Sequence, residues 1–292
     1  MIIIVGATGT IGNALLRRLT QFGVPVRALS REPEKLVARL GKLAEELDQS
    51  LIEVAAMDAS DPQSMRSAFA GGSQLFLAMS NSPKQIELET SVIRIAKEMG
   101  INHIVKISSP AYDLSAPVEV ARWHQEIEWV LYESGITHTI LRPYAFMQNL
   151  LRQASTVKAA NMFFGSMGNA ACNFIDCRDI ADVAAQVLTK KEWAGQIHTL
   201  TGSEVFSYPE VADRLTALLD RPIRYMNLSP EKHRTDLIEL GQLPPWLANH
   251  VVEIQAMSVA LPEKPTSAVK KIIGRDPRTL DAFLQEHVEH FR

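Results

Sequence analysis

The segment Gly6-Ala7-Thr8-Gly9-Thr10-Ile11-Gly12 places three glycines at spacings suited to cradling a phosphate chain. Gly6 allows a tight turn, Gly9 removes a side chain where backbone must approach a pyrophosphate, and Gly12 lets a following helix pack closely. Thr8, Thr10 and Ile11 supply backbone N–H groups of the loop and helix start, whose partial positive charge favours an anion. About 20 residues further on, the position that reads the 2′ end of a dinucleotide ends Leu29-Ser30-Arg31, with no carboxylate at the strand end itself. A guanidinium fork at Arg31, helped by the Ser30 hydroxyl, suits a 2′-phosphate, so NADP(H) is expected over NAD(H). The alternative for Arg31 is a surface pair with Glu32 or Glu34. Asp58 is placed either to accept from an adenine amino group or to cap its own turn. Met79 and Ser80, at the end of the next apolar run, complete the expected cofactor contacts.

These residues need a scaffold, and the pattern supplies one. Runs rich in β-branched residues recur at 2–5, 25–29, 51–57, 74–79, 103–107 and 137–142, each reading as a strand buried on both faces. Helical patterns at 12–22, 33–47, 62–70, 83–99 and 118–134 fall between them, several closed by a glycine such as Gly23, Gly71, Gly100 or Gly135. The alternation predicts an α/β fold with a doubly wound parallel sheet of Rossmann type. After Arg142-Pro143 the rhythm breaks: 144–175 reads as loops and short elements over the sheet's carboxyl edge, 178–190 as a helix and 197–201 as one more strand. Residues 207–292 read as mostly helical, punctuated by prolines. We expect an NAD(P)-binding domain over 1–150, with 174–202 returning to it, and a smaller substrate lobe over 151–292. Ligands of open α/β sheets gather where the last strand ends, which makes Tyr144, Phe146, Met147 and Asn149 candidate substrate contacts, with core packing as the alternative. Trp246, after Pro244-Pro245, is a candidate lid or wall.

Composition excludes several classes. The 292 residues are 46% hydrophobic, and 30 basic against 33 acidic side chains leave a formal charge of −3. No basic run offers a nucleic-acid or membrane-surface footprint, and small neutral or anionic ligands remain open. Cys172 and Cys177 lack the spacing of a zinc site and read as buried thiols suited to a reducing compartment. The opening apolar run stops at Gly6 with no basic leader, which reads as a cytoplasmic protein, monomer or homodimer.

With those residues in place, the sequence resembles the NmrA-like branch of the atypical short-chain dehydrogenase/reductases. The likeness is carried by the GATGTIG start, by Ser30-Arg31, and by the stretch from Gly135 to Pro143 followed by Phe146-Met147-Gln148-Asn149. Phe174-Ile175-Asp176, Asp179-Ile180-Ala181 and the ending Ile273-Gly274-Arg275-Asp276-Pro277-Arg278-Thr279 extend it to nearly the whole chain. The resemblance implies NADPH-dependent reduction of quinones or triphenylmethane dyes, or else a redox sensor that binds the dinucleotide without turnover and acts through a protein partner.

The general dehydrogenase pattern pairs a serine and a tyrosine with a lysine four residues beyond the tyrosine. Ser108 and Tyr112 are present, but Ala116 stands in the lysine's place, and a tyrosine without a neighbouring ammonium is a poor proton relay at neutral pH. Isoflavone-reductase-like relatives carry a lysine in the helix before the Gly135 turn, and that place here is His124. His124 reads either as a polar group at the nicotinamide end, tuned by Glu128, or as a core histidine on a stripe with Val120, Ile127 and Leu131. Without the relay, the expected substrate is a flat conjugated acceptor (a quinone, an iminium or an arylmethyl cation) that takes a hydride and spreads its electrons. A dinucleotide-retaining epimerase is the third reading.

Overall fold

Strand β1 (Ile2–Val5) sets Ile2 and Ile4 against one layer of helices and Ile3 and Val5 against the other, so every residue in it is buried. It lies inside a seven-stranded sheet, which is why its apolar run is continuous rather than alternating. The computed structural model describes residues 1–42, 47–110, 118–261 and 263–292. Its sheet also contains β2 (Val26–Ser30), β3 (Ile52–Ala56), β4 (Gln74–Leu77), β5 (His103–Ile107), β6 (Thr137–Pro143) and β10 (Ile197–Leu200). The order is β3-β2-β1-β4-β5-β6-β10, parallel throughout. The chain order reverses between β1 and β4, so a crevice opens at the carboxyl ends of these two strands, beside the glycine-rich turn.

The helices α1 (Thr10–Gln21), α2 (Pro33–Gly41), α3 (Pro62–Phe69), α4 (Gln85–Glu98) and α5 (Glu119–Glu133) fall where the periodicity puts them. Several boundaries differ by one or more residues, among them those of α1 and α2. α1 starts at Thr10, two residues before Gly12, because Gly9 serves as its N-cap. α2 ends at Gly41, and residues 43–46 of the expected helix lie outside the described residues. β4 also stops at Leu77, leaving Met79 and Ser80 beyond the strand in the loop that follows.

Residues 144–175 are more regular than loops. They contain β7 (Ala145–Phe146), α6 (Ala154–Ala160), β8 (Met162–Gly165) and β9 (Ala171–Ile175). β9 pairs with β7 and with β11 (Val205–Ser207), and β8 pairs with β12 (Arg224–Asn227). These small sheets and α8 (Tyr208–Leu219) enclose a second core built on Phe163, Phe174, Phe206 and Tyr208. The helix α7 (Cys177–Thr189) returns to pack on α1, and both cysteine thiols are buried and free, which pushes each toward the protonated form.

Two devices hold the parts together. α9 (Pro230–Glu239) packs on α10 (Pro245–Ala260), and α10 leans on the start of α5 through Trp246 against Trp123, ring centroids 6.0 Å apart, and through Glu253 accepting from Glu119 N–H at 3.1 Å. The second is an ionic clasp after α11 (Ala268–Ile273). Gly274 ends that helix at φ +76°, and Arg275 and Arg278 then both reach the fully buried Asp179 of α7.

Candidate cofactor and active site

Gly6 sits at φ +90°, and a Cβ there would meet the Ala78 carbonyl oxygen at 2.0 Å, so only glycine fits between the ends of β1 and β4. Gly12 is equally constrained by the Gly6 carbonyl at 2.2 Å. Gly9 differs: it has an ordinary φ of −75°, and a Cβ would approach only the Gly6 oxygen, at 3.3 Å. The fold does not require glycine there, yet the side chain is missing where a phosphate would lie. The rest of the helix start agrees. No side chain caps α1, its first turn carries no acid, Thr8 to Thr10 are exposed, and the Asn13 amide nitrogen is buried without a partner. Uncapped N–H groups and an unused donor fit the pyrophosphate of a dinucleotide.

Beside this turn lies a cavity of about 250 Å³ lined by Thr8, Ser30, Arg31, Lys35 and Arg39, with Glu32 and Leu36. Arg39 donates to the Thr8 carbonyl at 2.6 Å, tying the cavity to the glycine turn. Glu32 is taken by Lys35 at 2.5 Å, so Arg31 forms no ion pair among the described residues. The Ser30 oxygen accepts from Glu32 N–H at 3.0 Å and stiffens the strand end. Lys35 and Arg39 were not singled out in the sequence, although Arg31, Lys35 and Arg39 recur at intervals of four. The i, i+4 step on α2 puts the last two on one helix face. Asp58 is exposed, and its carboxylate accepts from Ser60 N–H at 2.8 Å and from the Ser60 hydroxyl at 2.7 Å. Those bonds hold its carboxyl below the usual range, with Arg31 adding a smaller electrostatic pull. It thus caps its own turn while facing the Arg31 side of the site.

At the far end of the crevice, His124 lies inside the α4–β5–α5 interface. Lys106 of β5 is fully buried and its ammonium donates to Glu89 at 2.6 Å, to the Ile107 carbonyl at 3.0 Å and to His124 Nδ1 at 3.3 Å. An ammonium cannot accept, so Nδ1 is the acceptor from Lys106; Nε2 lies 3.5 Å from the Gln85 amide nitrogen, which donates to Glu89 at 2.9 Å. Burial, then Lys106 and His250, press His124 well below the usual histidine range. It is a neutral member of a buried network. Glu128 does not tune it, being bound instead to Arg142 and accepting from the Ser108 hydroxyl at 2.5 Å. Tyr112 lies outside the described residues.

The four residues after β6 do not form one wall. Tyr144 is half-buried, with its N–H donating to the Leu200 carbonyl at 3.0 Å. Phe146 packs beside the core between the sheet and α7, and Asn149 is exposed. Met147 is fully buried in the smaller lobe's core, so its side chain is not open to a ligand. Met79 is half-buried beside the α3–α4 layer, and Ser80 is exposed beyond it.

Comparison with known proteins identifies the family. The profile of the NmrA-like family matches residues 1–284. The chain is 33% identical to an NAD(P)H azoreductase of Xenophilus azovorans, over 100% of this chain and 99% of that one. It is 31% identical to a (4-alkanoyl-5-oxo-2,5-dihydrofuran-3-yl)methyl phosphate reductase of Streptomyces griseus, again over 100% and 99%. The structure of an Escherichia coli NADPH-dependent quinone oxidoreductase with NADPH superposes with a TM-score of 0.86 at 28% identity, covering 99% of this chain and 100% of that one. The chain belongs to the NmrA-like family.

Proposed function

We propose that this NAD(P)H-dependent oxidoreductase uses NADPH in preference to NADH and passes a hydride to a flat, conjugated acceptor of the azo or quinone class. The observation that carries the cofactor choice is the basic cavity of Arg31, Lys35 and Arg39, joined to the glycine turn by the Arg39–Thr8 bond. Three cations against the single Glu32 carboxylate, which Lys35 already pairs, leave an excess of positive charge that suits a dianionic 2′-phosphate. The acceptor class rests on the relatives reported above, whose names denote reduction of an azo compound, of a conjugated dihydrofuranone and, at 28% identity, of a quinone.

When bound, the reduced nicotinamide supplies the hydride. The chain's residues do the rest. The α1 N-terminus holds the pyrophosphate with backbone N–H groups, and Arg31, Lys35 and Arg39 fix the adenosine end. Tyr144, at the carboxyl end of β6, lies on the side of the crevice where an acceptor would stack. A sensor that only binds the dinucleotide is the competing reading, and it consumes no NADPH.

Titration of the wild type should give a Kd for NADPH roughly ten- to a hundred-fold below that for NADH, the value of one charge-assisted phosphate contact of about 1.5–3 kcal/mol. Arg31→Ala should weaken NADPH by about ten-fold or more and leave NADH within about two-fold. Equal affinities in the wild type would contradict the assignment.

A further inference from the structure

The reduction of an azo group or a quinone needs a proton as well as a hydride, and the acid groups so far described at the carboxyl edge cannot give one. Glu128 is paired with Arg142, and Asp176 is held as a carboxylate by Arg178 at 2.6 Å. His124 is neutral and turned into its own network. Glu263 stands apart from these. One carboxyl oxygen accepts from the backbone N–H of Asn173 on β9, and the other from the Ser258 hydroxyl of α10 at 2.8 Å. Both partners are neutral, and no lysine or arginine pairs with it among the described residues.

Its position is fixed from both sides. β9 runs beside β7, the short strand that leaves the end of β6. Just beyond Glu263, Thr266 donates its N–H to the Thr201 hydroxyl and its own hydroxyl to the Thr199 carbonyl, each at 2.8 Å, pinning the segment to the end of β10. Glu263 is thereby half-buried where β6 and β10 end, in the electrostatic reach of Tyr144 and Cys172. Among the described residues, those are the titratable groups that Glu263 acts on; Glu253 of α10, whose carboxyl is also raised, turns instead to the start of α5. Burial without a counter-ion pushes the Glu263 carboxyl above the usual glutamate range, against the two hydrogen bonds that favour its ionised form. Burial and the Glu263 charge likewise push the Tyr144 phenol up.

We propose that Glu263 is the proton donor of this site, giving its carboxyl proton to the heteroatom of a conjugated acceptor as the acceptor takes a hydride; this rests on the reductase function proposed above. For an azo acceptor, the hydride forms a bond to one nitrogen and the N=N π pair moves to the other. The second nitrogen takes the Glu263 proton, so an N–H bond forms as the carboxyl O–H bond breaks. The acceptor gains two electrons, the dinucleotide loses two, and the Glu263 carboxylate recovers its proton from water. A triarylmethyl cation needs no such help, since hydride alone makes its product neutral.

The test compares wild type and Glu263→Gln on an azo dye and on a triarylmethyl cation dye, with NADPH. Loss of a positioned acid should lower kcat/KM for the azo dye by about 10²-fold, leaving the cation dye and the NADPH Kd within about two-fold. Glu263→Asp, which keeps an acid, should recover part of the azo rate. A readout independent of turnover is stability against pH. The folded carboxyl binds its proton more tightly than the unfolded one, so wild type loses stability as pH rises from the ordinary value of 4.5 through the raised folded value. Glu263→Gln should lack that loss. An unchanged azo rate, an equal loss on both dyes, or an unchanged pH–stability curve overturns the proposal. Wild type inert toward both dyes overturns the reductase function, and the acid with it.

Discussion

Gly9→Val should abolish dinucleotide binding, by at least about a hundred-fold in Kd, in a chain that still folds. The two halves of that expectation have separate causes. Gly9 is an N-cap residue with extended backbone, a conformation valine adopts readily, and its added Cβ would meet a single atom, the Gly6 oxygen at 3.3 Å. Its isopropyl group instead projects where a pyrophosphate must approach the helix N-terminus. Gly6→Val and Gly12→Val differ in kind, since backbone oxygens lie at 2.0 and 2.2 Å from the added Cβ and the β1–α1 junction itself must move. Circular dichroism and fluorescence titration read folding and binding separately. Retained binding by folded Gly9→Val would show that the turn is structural only.

Asp179→Ala should lower stability by about 3 kcal/mol and the melting temperature by roughly 5–10 °C. Asp179 is fully buried, accepts from Arg275 at 2.7 Å and from the Arg278 N–H at 2.7 Å, and also pairs with the Arg278 guanidinium. Removing it strands two cations that Asp182 alone cannot serve, although it too pairs with Arg275, at 2.5 Å. Both arginines are partly exposed, so water recovers part of the loss and the figure stays at the low end for a broken buried pair. The clasp joins the segment after α11 to α7, and α7 packs on α1 behind the glycine turn. A melting temperature within about 2 °C of wild type would mean that the clasp contributes little.

The parts of the fold that were legible in the sequence are those where one local rule dominates. The run Ile2-Ile3-Ile4-Val5 reads as a doubly buried strand because both faces of a parallel sheet are covered, and Gly6 and Gly12 after it stand where an added side chain would collide with backbone. Arg31 was legible for its place at a strand end. Lys35 and Arg39 were not, because cations on an exposed helix usually serve only the solvent, and only the cavity beside Thr8 sets them apart. Lys106 did leave a signal: a lysine between Val105 and Ile107 in a doubly buried strand demands a partner, and Glu89 and His124 supply it. That signal bears on His124, whose position on the buried stripe of α5 is a consequence of the same network. Glu263 could not be found this way. Its partners are a backbone N–H and a hydroxyl from distant segments, and such contacts leave no periodic or charge pattern.

A reductase of flat conjugated acceptors must spend NADPH on them. Loss of the reduced-nicotinamide absorbance, followed with purified protein and an azo dye or a quinone, tests it most directly. One NADPH should be oxidised per two-electron reduction, above the rate without protein, with NADH slower at limiting cofactor by roughly ten- to a hundred-fold. Tight NADPH binding with no oxidation in the presence of an azo dye, a quinone and a triarylmethyl dye alike would contradict it and leave a dinucleotide sensor.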